Sequence, residues 1–179
     1  MTDNERAAAI EMFLAYNTDF AVQDEARVSE IKRKFLKDFG TDVTAKPHYV
    51  IQLLEAAYCE KNADDVSNAL SITSMFSLSS KEYTGILLKL LEADWHYCHE
   101  GIAGIFQELK LPETVDCLYK TALTKFKYLD YDDCYALAVK CIWALGDVGT
   151  NEAKEKLKLL QQSDNEIISN NAKKQLDRT

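Results

Sequence analysis

Turn-forming residues are scarce in this chain, which has only 6 Gly and 2 Pro in 179 residues. An all-β fold needs many tight turns, so the scarcity disfavours one. No apolar run is long enough to span a bilayer. The opening residues, Met1-Thr2-Asp3-Asn4-Glu5-Arg6, are polar, and no hydrophobic signal region follows them. Cys-x-x-Cys is missing, and the five cysteines (Cys59, Cys98, Cys117, Cys134, Cys141) are odd in number. This pattern fits buried thiols in a reducing compartment better than a disulfide framework, so the expected location is the cytoplasm. Gly-x-Ser-x-Gly, the P-loop and other Gly-rich phosphate motifs are absent as well. Three histidines (His48, His96, His99) leave few general-base candidates. The expectation is therefore a protein that is not an enzyme and carries no cofactor and no metal.

Positive charge is also short. Lys and Arg number 21 against 29 Asp and Glu, for a formal charge of −8 and a pI near 4.9. Such a surface repels phosphate backbones and disfavours nucleic acid, while it attracts basic partners. The imbalance is local. Between Glu92 and Asp133, nine acidic residues face four lysines, a net of −5 and more than half of the total.

What the chain does have is helical periodicity. Hydrophobic residues make up 47% of it, enough for a real core, and they recur at helical spacing almost throughout. Thr2 and Glu5 have capping-box spacing ahead of a first helix whose stripe reads Ile10, Phe13 and Leu14. A second helix is expected from near Asp24 to Gly40, a third after Pro47, and a fourth from about Asp65 to Phe76. Ser79 and Glu82 repeat the capping-box spacing ahead of a fifth. Asp94 and Pro112 open the sixth and seventh, and Gly146 and Gly149 end the eighth. Stripes at Ala153, Leu157, Leu160 and at Ile168, Ala172, Leu176 complete ten helices, read as five antiparallel pairs.

An internal repeat supports that reading. Shifted by 36 residues, Tyr83 meets Tyr119, Leu87 meets Leu123, Asp94 meets Asp130, Trp95 meets Tyr131, Cys98 meets Cys134 and Leu109 meets Leu145. Asp94 and Asp130 are then expected to cap the second helix of each pair. A shift of 31 relates Asp133 to Asp164, Cys141 to Ala172 and Leu145 to Leu176.

Ala144-Leu145-Gly146-Asp147-Val148-Gly149, the helix after it, and Ser163-Asp164-Asn165-Glu166 together resemble the HEAT repeat, especially its lyase-like variety. The resemblance is good over residues 130–179, fair over 80–130 and only suggestive before that. It implies an all-α fold, a right-handed α-solenoid of about five stacked antiparallel helix pairs. One domain would span 1–179, with a less regular pair in 1–45 and HEAT-like pairs in 46–179. HEAT-like iron hydroxylases use repeated His-Glu pairs. Here His99-Glu100 has Tyr135-Ala136 as its counterpart, so that site does not carry over. HEAT-like DNA glycosylases need a basic groove, which is acidic here. Chromophore lyases share the repeat, but no residues to carry that reaction are evident.

Two acidic-aromatic runs stand out as partner-binding candidates: Asp94, Trp95, His96, Tyr97, His99 and Glu100, and then Asp130, Tyr131, Asp132, Asp133 and Tyr135. Either they are solvated faces with capped helix starts, or they form a docking rim where rings give rigid area and carboxylates steer a basic partner. His96, Cys98 and His99 lack the second ligand pair that a structural zinc needs. The eighth helix is apolar over most of its circumference, which implies neighbours on both sides and leaves a strip at Ala136, Lys140 and Trp143. One repeat earlier the strip is Glu100, Gly104 and Gln107. Trp143 is then either an exposed anchor on a concave face or packed under a neighbour.

As a small, acidic, cytosolic helical-repeat protein with no catalytic motif, the chain resembles the broad class of bacterial immunity proteins of toxin–immunity pairs, including those of contact-dependent growth inhibition. The resemblance implies a protein that is monomeric when free, binds neither membrane nor nucleic acid, and occludes a basic toxin domain, many of which are nucleases. The alternative is a general HEAT-type adaptor that binds a peptide or a domain along Glu100, Gln107, Lys140 and Trp143.

Overall fold

A computed structural model describes residues 1–18 and 25–178. Among these residues there are ten α-helices and no strand. The helices are α1 (Asp3–Asn17), α2 (Glu25–Phe39), α3 (His48–Glu60), α4 (Ala63–Met75), α5 (Thr84–Glu92), α6 (His99–Leu109), α7 (Val115–Leu123), α8 (Ala136–Val148), α9 (Asn151–Gln161) and α10 (Glu166–Arg178). The chain is all-α. No helix among the described residues is long and apolar enough to cross a membrane. The expected start of the second helix at Asp24 lies outside the described residues. Contacts cluster into two units, 1–79 and 80–179.

In the first unit α1 packs on α2 and α4, and α3 packs on α4. The Thr2–Glu5 capping box forms as its spacing predicts. The inward face of α1 is not the expected one. Ile10, Phe13 and Leu14 are exposed, whereas Ala8, Ala9 and Met12 are buried. Two alanines let a neighbouring helix approach closely, and the larger apolar stripe is left outside. Glu5 is buried too, because Tyr49 donates a 2.6 Å bond to its carboxylate and the Thr2 backbone N–H a 2.7 Å bond. These donors hold its carboxyl below the usual range although burial pushes the other way. Asp65, fully buried, takes two bonds from the Arg6 guanidinium at 2.7 and 3.0 Å and a third from the Met1 amine. Phe35 stacks on Phe39 at 4.6 Å and meets Phe76 at 5.3 Å.

In the second unit α5 packs on α7 and α7 on α9, while α6 packs on α8 and α8 on α10. Helices α7, α8, α9 and α10 also pack on one another in chain order. α8 is wedged between neighbours as its composition predicts, with Leu137, Ala138, Cys141, Ile142, Ala144, Leu145 and Gly146 all buried. Burying each large aliphatic chain contributes about 1.5–3 kcal/mol before chain entropy is counted. Gly146 lies within this helix, and it is Gly149, at φ 67°, that ends it in the left-handed conformation that favours glycine.

The helix starts do not follow one spacing: α5 and α7 begin 31 residues apart, α7 and α9 36, α6 and α8 37, and α8 and α10 30. Each of α5 and α7 has nine residues, follows a three-residue 3-10 turn (Lys81–Tyr83 and Pro112–Thr114), and ends at an extended residue, Ala93 or Thr124. Their spacing is therefore 31, the same as that relating Cys141 to Ala172. Tyr83 and Tyr119 are not equivalent, since Tyr83 leads into α5 and Tyr119 lies within α7. The extra residues lie in the connection between α7 and α8. That connection runs over 124–135, twelve residues, against six between α5 and α6 (93–98) and four between α9 and α10 (162–165).

Candidate acidic docking site

The long 124–135 connection is held at both ends. On the α6 side, His96 and His99 are 2% and 0% exposed, and their rings stack with centroids 4.3 Å apart. A carbonyl can only accept, so Nε2–H of His96 donates to Leu90 O at 2.8 Å and Nε2–H of His99 donates to Ala93 O at 2.7 Å. Nδ1 of His96 accepts from the Cys98 backbone N–H at 3.1 Å. Nδ1 of His99 lies 2.9 Å from the Tyr128 hydroxyl, which donates to it. All four ring nitrogens are thereby committed, and both rings are neutral. Burial pushes both pKa values down, that of His99 to about 4. Burial likewise pushes the Tyr128 hydroxyl up to about 12. Phe126 packs 3.9 Å from the His99 ring. The histidine pair thus caps the end of α5, opens α6, and ties the start of the long connection to both.

On the α8 side, Asp132 accepts from the backbone N–H of Cys134 at 3.0 Å and of Ala136 at 2.7 Å. It therefore satisfies donors at the start of α8 that the helix itself cannot. Asp130 and Asp94 do not cap helices as expected. α6 begins at His99 with no side-chain cap, and α8 follows Tyr135, whose φ of 52° is left-handed. A tyrosine held there is a strained junction.

Between these anchors the connection presents Asp130 and Asp133, both exposed, and Tyr131, which is 83% exposed. Neither carboxylate makes a side-chain hydrogen bond or ion pair among the described residues. Asp94 and Tyr97, at the equivalent corner before α6, are exposed too, and Trp95 is half-buried. Beside the long connection runs a groove of about 500 Å³. Its acidic lining residues are Asp130, Asp132, Asp133 and Asp164, and its one basic lining residue is Lys125. Tyr135 also lines it. Between α1 and α2 of the first unit lies a smaller cleft of about 340 Å³. Its charges are of both signs, and Lys34 there pairs with Glu11 and Asp38.

The expected site residues thus part into three groups. Asp94, Trp95, Tyr97, Asp130, Tyr131, Asp132, Asp133 and Tyr135 lie in the two connections. His96 and His99, expected on the partner surface, are instead interior, because their ring nitrogens find backbone and hydroxyl partners within the fold. Glu100, Gln107, Lys140 and Trp143 lie on α6 and α8 and are engaged with neighbouring helices. Lys140 pairs with Glu100 at 3.1 Å, Gln107 donates to Asp147 at 2.7 Å, and Trp143 donates to Asn171 at 3.2 Å with the Arg178 guanidinium over its ring. Trp143 keeps 37% of its surface exposed.

Sequence reasoning missed Tyr128, Asp164 as a groove residue, and the partners Asn171 and Arg178. The stripe Val115, Leu118, Ala122 and Phe126 predicts that the seventh helix reaches Phe126, but α7 ends at Leu123, so Phe126 falls in the connection and Tyr128 in a 3-10 turn, Lys127–Leu129. No protein-family model, curated protein or solved structure matches this chain.

Proposed function

We propose that this protein acts by holding a basic partner protein at the acidic 124–135 connection, and that it is an immunity protein that neutralises a cognate bacterial toxin by occluding its active site. One observation carries the reading. Among the described residues, the lengthened connection between paired helices of the second unit is the one that carries Asp130 and Asp133, which make no side-chain bond there. In repeat stacks, insertions within a repeat fall in loops on one face, often the binding face. Holding the loop at His99 and Asp132 lowers the ordering cost of association, and the free carboxylates steer a positively charged surface toward it. In this reading α5–α10 are three pairs of a right-handed HEAT-like solenoid, with α5, α7 and α9 in one layer and α6, α8 and α10 in the other. The protein works in the cytoplasm and by binding rather than catalysis.

The adaptor alternative places the partner along Glu100, Gln107, Lys140 and Trp143. Their polar groups brace α6, α8 and α10 against one another, so a partner there would have to displace existing bonds. The deciding experiment takes as its probe the product of the neighbouring gene, tested as the cognate toxin. Association is measured by stopped flow for the native chain, for Asp130→Lys with Asp133→Lys, and for Trp143→Ala. Charge reversal should slow association by about tenfold or more at low salt, while Trp143→Ala leaves it within about twofold. The opposite ranking would move the site to the α8 strip, and no binding by any variant would remove the immunity assignment.

A further inference from the structure

The groove beside the long connection is more than a cluster of carboxylates, because its lining divides by burial. Ala122, Phe126, Leu137, Ala138 and Ile168 are each less than a tenth exposed, so they form an apolar floor. Leu123, 51% exposed, stands among the lining residues as an uncovered aliphatic side chain. Asp130, Asp133 and Asp164 are exposed and make no side-chain bond among the described residues. Among the described residues no three His, Cys, Asp or Glu side chains converge closely enough to hold a metal ion. The negative charge is therefore spread along the groove rather than focused on one point.

We propose that this groove receives a basic, amphipathic segment of the partner protein, with aliphatic side chains and stems on the floor and lysine or arginine heads at Asp130, Asp133 and Asp164. The inference rests on the docking reading above and specifies its occupant. A purely apolar segment would leave the carboxylates facing it without compensation. A small polycation would leave Leu123 and the floor uncovered. Lysine and arginine suit both demands at once, because their stems are apolar and their heads charged. The Tyr128–His99 and Asp132–Ala136 bonds set the groove wall before the segment arrives, so little ordering remains to be done on binding.

The test is an NMR titration of the full chain, labelled with 15N, with three probes: a blocked peptide alternating leucine and arginine, the same peptide with glutamate for arginine, and spermine. The leucine–arginine peptide should give saturable shifts confined to residues 122–138 and 163–168. Its affinity should fall about tenfold or more in Asp130→Lys with Asp133→Lys, and severalfold in Leu123→Gln, whose exposed position leaves the fold intact. The glutamate peptide should not bind. Equal binding of spermine, shifts centred elsewhere, or indifference to both variants would overturn the proposal. If the peptide fails while charge reversal still slows toxin association, the docking reading stands and the groove occupant falls. If the peptide binds the groove but charge reversal leaves toxin association unchanged, the reverse holds.

Discussion

Acidification should destabilise this protein well above the range in which carboxylates titrate, and His99 is the main reason. Its ring is fully buried, donates to Ala93 O and accepts from Tyr128, and its pKa falls from about 6.5 to about 4. The unfolded chain takes up the proton near pH 6.5, whereas the folded chain resists it down to about 4. Between those values the unfolded state binds more protons, so stability falls as pH falls. At about 1.4 kcal/mol per pH unit, His99 alone removes roughly 2 kcal/mol between pH 7 and pH 5, and roughly 3 kcal/mol by pH 4. His96 shifts in the same direction for the same reason and adds to the loss. Urea denaturation at pH 7, 6 and 5 measures it directly. His99→Gln should be less stable at pH 7 but show a flatter profile, and the His99 Cε1–H resonance should not titrate above pH 5. A native profile flat to within about 0.5 kcal/mol from pH 7 to 5, or an unchanged slope in His99→Gln, would refute the account.

Tyr128→Phe should cost about 1–3 kcal/mol in chemical denaturation, because Nδ1 of His99 becomes a buried acceptor without its donor. Gly146→Ala should destabilise by about 1–3 kcal/mol despite the better helix propensity of alanine, since a Cβ there would lie 2.1 Å from Gln175 Oε1. Gln175→Ala in the same chain should recover most of that loss, as read by thermal unfolding. Asp132→Ala should cost about 1 kcal/mol and speed hydrogen exchange at Cys134 and Ala136, the two amides it holds. Arg6→Ala should cost about 2 kcal/mol at pH 7, because the buried Asp65 loses two charge-assisted bonds, and less at low pH, where that carboxylate is protonated.

Periodicity located the helices well because each stripe is a local property of ten or so residues. The capping box at Thr2, the helix after Pro47 and the stop at Gly149 are all local chemistry, and all three form. The wrapped apolar surface of α8 also foretold neighbours on both sides, since no other arrangement would bury it. Which stripe turns inward is a different matter. On α1 the larger residues Ile10, Phe13 and Leu14 stay outside while Ala8 and Ala9 go in, because burial depends on how closely another helix can approach.

By itself the sequence determined the all-helical class, the excess of carboxylates between Glu92 and Asp133, and the existence of a repeat, all of which follow from composition and spacing. Tertiary structure alone decided that α5 and α7 begin 31 rather than 36 residues apart and that the surplus residues form the long connection, because a loop insertion shifts an alignment without marking where it lies. It also decided that His96 and His99 are interior while Asp130 and Asp133 have no side-chain partner among the described residues. A polar side chain is buried only when the fold brings it a partner, and the turn between α5 and α6 brings Leu90 O and Ala93 O, six residues back, while the long connection brings the Tyr128 hydroxyl from 29 residues on.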